Sequence, residues 1–208
     1  MKTLIITDVQ HDFMPGGALG VAGGNEIVPV INALIPHFDH VFATQDWHPP
    51  HHISFASAHK KKPGETIRLG EIEQVLWPDH CIQNTHGADL AKGLHREKIE
   101  AVFHKGVDPK VDSYSTFFDN SRKRSTGLAD HLLKAHLSDL YFVGLASDYC
   151  VFYSVLDAVD LGFNTWVIRD ACRGINLHPG DEEKAYETMR RKGARVIFSQ
   201  EILGSRRS

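Results

Sequence analysis

Six short, largely apolar runs punctuate the chain: Thr3 to Thr7, Val41 to Thr44, Ala101 to His104, Leu140 to Leu145, Thr165 to Ile168 and Arg195 to Phe198. Runs of this length, nearly continuous in apolar character, are the pattern of strands covered on both faces. Between them apolar residues recur at helical spacing over Glu26 to Phe38, Leu128 to His136, Tyr149 to Leu161 and Glu182 to Lys192. Asp181 stands where an N-cap is expected for the last of these, and Gly193 where a helix closes. Strands alternating with helices require parallel crossovers. The expected fold class is therefore α/β: a doubly wound, six-stranded parallel sheet with helices on both faces.

Two stretches break the alternation, the roughly fifty residues from Asp46 to Ile99 and the shorter Gly106 to Ser125. Loops this long in a compact domain usually carry function. The first holds Trp47, Trp77 and many histidines, a composition poorly suited to disorder, and is expected to form a wall of the active site. The run Lys60-Lys61-Lys62 reads as a solvated loop.

Composition narrows the function classes. A chain of 208 residues with 42% hydrophobic content can bury a sizeable core, and one domain over residues 1–208 is expected. A formal net charge of -3, from 23 Lys+Arg against 26 Asp+Glu, provides no basic surface for nucleic acid, so the partner sought is a small molecule in a pocket. The apolar opening Leu4-Ile5-Ile6 runs at once into Asp8. It is too short for a signal-peptide core or a membrane span, and a cytoplasmic protein without membrane attachment is expected. Cys81, Cys150 and Cys172 are an odd number without paired spacing, which argues against a disulfide framework. The 14 histidines raise the question of a metal. No feature marks an interface; a symmetric homo-oligomer is the base-rate expectation.

In open parallel sheets ligands bind outside the carboxyl ends of the strands, so the residues just after each apolar run are the candidates. They are Asp8, Asp46, Lys105 and the stretch Ala146 to Cys150. Cys150 opens a helix, where unpaired amides favour a thiolate and can hold an oxyanion. It reads as a nucleophile or as a small buried core residue. Asp8 is placed to take a thiol proton and return it to a leaving amine, or to cap a turn. Lys105 is placed to hold Asp8 and favour the thiolate, or to form an ordinary ion pair. Asp46 and His48, joined by His80 through chain folding, make a set of two imidazoles and one carboxylate that leaves coordination positions open, as a catalytic metal site does. His52, or Cys81 beside His80, offers a further ligand or a packing and capping role. The donor set accepts zinc, iron or manganese, with zinc or iron expected.

Six segments in order carry a resemblance over nearly the whole chain: Asp8-Val9-Gln10-His11-Asp12-Phe13, Gln45-Asp46-Trp47-His48-Pro49, Trp77-Pro78-Asp79-His80-Cys81, His104-Lys105-Gly106, Asp112-Ser113-Tyr114-Ser115, and Gly144 through Val151. With these the sequence resembles the nicotinamidases of the isochorismatase-like cysteine hydrolase superfamily. The resemblance implies hydrolysis of nicotinamide to nicotinic acid and ammonia through a cysteine thioester, a step of NAD salvage, with pyrazinamide as a side substrate. It implies a catalytic set at Asp8, Lys105 and Cys150, metal ligands at Asp46, His48 and His80, and an oxyanion hole from the amides of Ala146 and Cys150. It also implies a cis bond between Leu145 and Ala146 and a pyridine ring held at the metal beside Phe13 and Trp77. In some relatives a histidine near the position of His52 binds metal as well. An isochorismatase would lack the thiol, and carbamoyl amidohydrolases generally lack the ligand pattern. A metal-binding module without turnover is the reading from another class, against which the intact Asp8, Lys105 and Cys150 argue.

Overall fold

The computed structural model describes residues 1–204. In chain order the strands are β1 (Lys2–Thr7), β2 (His40–Asp46), β3 (Thr66–Leu69), β4 (Ile72–Val75), β5 (Ala101–Lys105), β6 (Asp139–Leu145), β7 (Asn164–Arg173) and β8 (Arg195–Ile197). The helices are α1 (Ile27–Leu34), α2 (Leu128–Lys134), α3 (Cys150–Asp160), α4 (Asp181–Lys192) and α5 (Ser199–Leu203).

Six strands form one parallel sheet in the order β5-β2-β1-β6-β7-β8, as the apolar runs predict. Alternate side chains of each strand enter opposite layers. Leu4, Ile6, Val41, Ala43 and Val143 pack with Ile27, Ile31 and Leu34 of α1 on one face. Ile5, Phe42, Phe142 and Val167 pack on the other with Leu128 and Leu132 of α2, Val151 and Val155 of α3, and Tyr186 and Met189 of α4. Each fully buried Leu or Ile contributes roughly 1.5–3 kcal/mol against an exposed one, which is why uninterrupted apolar strands are kept.

The chain runs outward from β1 through β2 to β5, then returns to the other side of β1 and runs outward through β6, β7 and β8. The direction of winding therefore reverses between β1 and β6, and a crevice opens beyond their carboxyl ends. Gly144 permits this pair to close up. It lies opposite Thr7 with φ +117°, and a Cβ there would fall 2.0 Å from the Thr7 carbonyl oxygen.

Local structure departs from the sequence reading in four places. The helix expected from Glu26 to Phe38 is shorter: α1 ends at Leu34 and passes into a 3-10 turn at Ile35–His37, because Pro36 has no N–H to continue the ladder. Asp181 is the first residue of α4 and not its cap; Gly180, left-handed after Pro179, takes that position, and the Asp181 carboxylate accepts the His178 N–H at 2.8 Å. Gly193 closes α4 in the left-handed conformation, as expected. The last apolar run ends at Ile197, followed by α5, whose Ser199 amide and hydroxyl donate to Asp170. Finally, the long Asp46 to Ile99 stretch contains an antiparallel hairpin, β3–β4. No helix among the described residues is long and apolar enough to cross a membrane.

Candidate active site

Four chain segments meet at the crevice. Asp8 follows β1 in a left-handed turn (φ 50°), Asp46 ends β2, Lys105 ends β5 and Cys150 begins α3. Lys105 is the centre of the group and only 1% exposed. Its Nζ donates to Asp46 Oδ1 at 2.6 Å and to the Ser113 carbonyl at 2.8 Å, lies 2.9 Å from Asp8 Oδ2, and is 3.4 Å from Cys150 Sγ. The contact to Asp8 Oδ2 is an ion pair without hydrogen-bond alignment, so that oxygen keeps its acceptor capacity. Asp8 Oδ1 accepts the Thr44 hydroxyl at 2.6 Å.

Charge balance sets the protonation states. Burial alone would discharge Lys105, but Asp46 and Asp8 outweigh it and hold the ammonium well above its usual range. Burial pushes the Asp46 carboxyl up, yet Lys105 and His48 overcome this and hold it well below the usual carboxylate range. Asp8 stays raised: its burial is complete and Lys105, shared with Asp46, only partly offsets it. Burial also pushes the Cys150 thiol well up, with Lys105 opposing and the Asp8 and Asp46 carboxylates adding to the rise. The helix start does not by itself make a thiolate here, because burial and two carboxylates outweigh one lysine. A proton acceptor is needed, and a carboxylate oxygen of Asp8 lies within 4.8 Å of the Cys150 sulfur.

The peptide bond Leu145–Ala146 is cis. Among the described residues neither the Ala146 nor the Cys150 amide has a protein acceptor, whereas the neighbouring amides of Tyr149 and Val151 both donate to the Ala146 carbonyl. Two free N–H groups beside a thiol are suited to hold an oxyanion.

On the other side of Asp46 lies a second constellation. Asp46 Oδ2 is 3.5 Å from His48 Nε2 and 3.6 Å from His80 Nε2, all three residues being buried. His48 Nδ1 donates to the Gly106 carbonyl at 2.9 Å and His80 Nδ1 to the Pro78 carbonyl at 2.7 Å. A carbonyl can only accept, so both rings carry a proton on Nδ1 and turn Nε2 toward the carboxylate. This is the arrangement of metal-ligating imidazoles. Ligands about 2.1 Å from a tetrahedral cation stand about 3.4 Å apart, close to the spacing found. The residues fit a divalent cation. Gly106 is part of that fit: a Cβ there would lie 2.4 Å from His48 Cε1.

His52 sits outside this set. Its Nε2 meets the Asp108 carbonyl at 2.9 Å and its Nδ1 the Ser54 hydroxyl at 2.7 Å, so both ring nitrogens are engaged, and it stacks on His48 at 4.3 Å. Cys81 is packed in the hydrophobic core, and its carbonyl accepts the His48 N–H.

Phe13, Trp77 and Ala146 line a single cavity together with Asp46, His80 and Cys150. Phe13 meets His80 edge-on at 5.5 Å. Trp77 is fixed by its Nε1–H, which donates to the Tyr114 hydroxyl at 3.2 Å, and by the edge of Tyr149 at 4.8 Å. Gln10, Gln74, Asp112 and Tyr114 were given no role from the sequence. Gln10 clasps Asp46, accepting its N–H at 2.9 Å and donating to its carbonyl at 2.8 Å. Tyr114, Tyr149 and Asp112 wall the cavity, and Gln74 of β4 reaches Asp112 and Tyr114. Gln10 carried a signal, a polar residue two places after Asp8 at a strand end; Gln74 carried none.

Residues 2–201 match the isochorismatase domain model. The chain is 47% identical over 197 residues to a nicotinamidase of Escherichia coli, covering 93% of this chain and 92% of that protein. It superposes on a nicotinamidase/pyrazinamidase of Acinetobacter baumanii with TM-score 0.94 and 44% identity, covering 97% of each chain. A pyrazinamidase of Pyrococcus horikoshii in complex with zinc superposes with TM-score 0.77 and 35% identity, covering 95% of this chain and 98% of that one.

Proposed function

The chain belongs to the isochorismatase family and, within it, to the nicotinamidases, and from that premise we propose that it hydrolyses nicotinamide to nicotinic acid and ammonia through a thioester on Cys150. The observation that carries this reading is the buried Lys105, which touches the Cys150 sulfur and both the Asp8 and Asp46 carboxylates. A core cysteine has no need of such company.

The thiol proton passes to Asp8 Oδ2, and the sulfur attacks the carboxamide carbon. Lys105 favours the thiolate while it forms, and the amides of Ala146 and Cys150 receive the oxyanion. On collapse Asp8 returns the proton to the departing nitrogen and ammonia leaves. A water molecule then loses a proton to Asp8 and attacks the thioester carbonyl. The acid departs and the proton returns to Cys150. One carboxyl thus acts as base and acid in turn, which a raised pKa suits.

Asp46, His48 and His80 would hold one divalent cation, for which the donor types suit zinc, iron or manganese. Bound there, it supplies a Lewis-acidic anchor for the pyridine nitrogen. Phe13 and Trp77 flank the ring on the protein side, and their fixed orientations limit the amide to one approach to Cys150. Pyrazinamide, differing by one ring nitrogen, fits the same contacts and is expected as a side substrate.

Ammonia release from nicotinamide by the purified protein, with metal content measured alongside, tests this directly. Wild type should turn over and Cys150→Ala should fall to background while keeping its metal. Turnover surviving in Cys150→Ala would exclude the thioester route.

A further inference from the structure

Asp112 is a buried carboxylate that the route above does not use. It is 3% exposed and lines the same cavity as Asp46, His80 and Cys150. Its Oδ1 accepts the Ser113 N–H at 2.8 Å and its Oδ2 accepts from Gln74 Nε2 at 3.0 Å. Among the described residues no lysine or arginine pairs with it. The imidazoles near it are those of His48, whose Nε2 stands 4.0 Å from Asp112 Oδ1, and of His52, which has a ring nitrogen within 4.8 Å of an Asp112 oxygen. The His48 Nε2 is also the nitrogen turned toward Asp46, while Nδ1 on the far side of the ring donates to the Gly106 carbonyl.

A buried carboxylate without a positive partner costs several kcal/mol, so a fold that keeps one offsets its charge by other means. Its position indicates how. Asp112 Oδ1 stands 4.0 Å from the His48 nitrogen that faces Asp46, a separation larger than the 3.5 Å and 3.6 Å spacings within the ligand set. Gln74 prevents Asp112 from swinging closer. Its single NH₂ group faces three acceptors, Val75 O at 2.7 Å, Asp112 Oδ2 and the Tyr114 hydroxyl at 3.0 Å each, so the hairpin that brings Gln74 in also fixes the carboxylate.

We infer that Asp112 is an outer carboxylate of the metal centre: it balances part of the cation's charge and accepts a hydrogen bond from a water bound on the cation's open side. This rests on the assignment of the cation to Asp46, His48 and His80. A carboxylate held one water away strengthens retention of the ion without occupying the position that the substrate requires. It also gives β3–β4 a task, since the hairpin supplies the residue that sets the distance.

The test is competition for zinc between the zinc-loaded protein and a chelator, for wild type, Asp112→Asn and His48→Ala, with folding checked by circular dichroism. Asp112→Asn should bind zinc about 10–100-fold more weakly than wild type yet still reach one ion per chain at excess zinc, whereas His48→Ala should not. If the asparagine variant does not fold, the smaller Asp112→Ser, which also removes the charge, replaces it with the same expectation. Wild-type affinity in the Asp112 variant would overturn the inference, and so would complete loss equal to that of His48→Ala, which would make Asp112 a direct ligand. A wild type that holds zinc no better than His48→Ala would instead overturn the cation assignment itself.

Discussion

On the thiol side of the pocket, Asp8, Lys105 and Cys150 are held by the ends of β1 and β5 and by the start of α3; on the cation side, His48, His80 and Asp112 hang from the loops after β2, β4 and β5. The first group is placed by a sheet packed on both faces, and its internal contacts are ionic. The second is placed by loop carbonyls, Gly106 and Pro78 fixing one imidazole each. The chemistry that moves protons is thus set by the fold, while the part that would hold the ion and orient a ring depends on loops. The two sides should fail separately, and variants can show whether they do.

The largest effect is expected from Asp8→Asn, which keeps the shape and the Thr44 contact but cannot take the thiol proton. kcat for ammonia release should fall by about 10²–10⁴-fold with metal content unchanged. Loss of metal in this variant would show that the sides are not separable. His48→Ala should do the reverse. Metal should fall far below one ion per chain and KM should rise more than kcat falls, while alkylation of Cys150 by iodoacetamide proceeds at the metal-free wild-type rate. Full metal stoichiometry in His48→Ala would remove it from the ligand set. The smallest effect, and the finest test, is Thr44→Val. The Thr44 hydroxyl stabilises the Asp8 carboxylate and so lowers its pKa against the rise caused by burial. Its removal raises that pKa further. The acid limb of kcat/KM at saturating metal should move to higher pH, with activity on the plateau nearly kept. An unmoved limb would mean that a group other than Asp8 titrates there.

The same division explains what could be read from the sequence. Residues 4–6 and 140–145 are apolar or glycine at every position because both faces of the sheet are covered, and that continuity announces the strands. Once the strands are located, Asp8, Asp46 and Lys105 follow from the rule that chemistry sits at carboxyl ends. The loop side obeys no such period. β3 and β4 are four residues each, with side chains mostly at the surface, so their alternation is too brief to stand out from the loop around them. Gln74 and Asp112 meet across 38 positions of chain and only the folded loop joins them. His48 and His80 could be paired because imidazoles in one loop invite a metal. His52 had the same invitation, and only its two filled ring nitrogens set it apart.

Asp46 spans the division. Its Oδ1 takes the Lys105 ammonium and its Oδ2 faces the two imidazoles. An amide in its place would offer one oxygen and one donor, and could serve one neighbour only by opposing the other. The two halves of the pocket are therefore coupled through this position: any exchange that changes how a cation would be held also changes the charge facing the lysine.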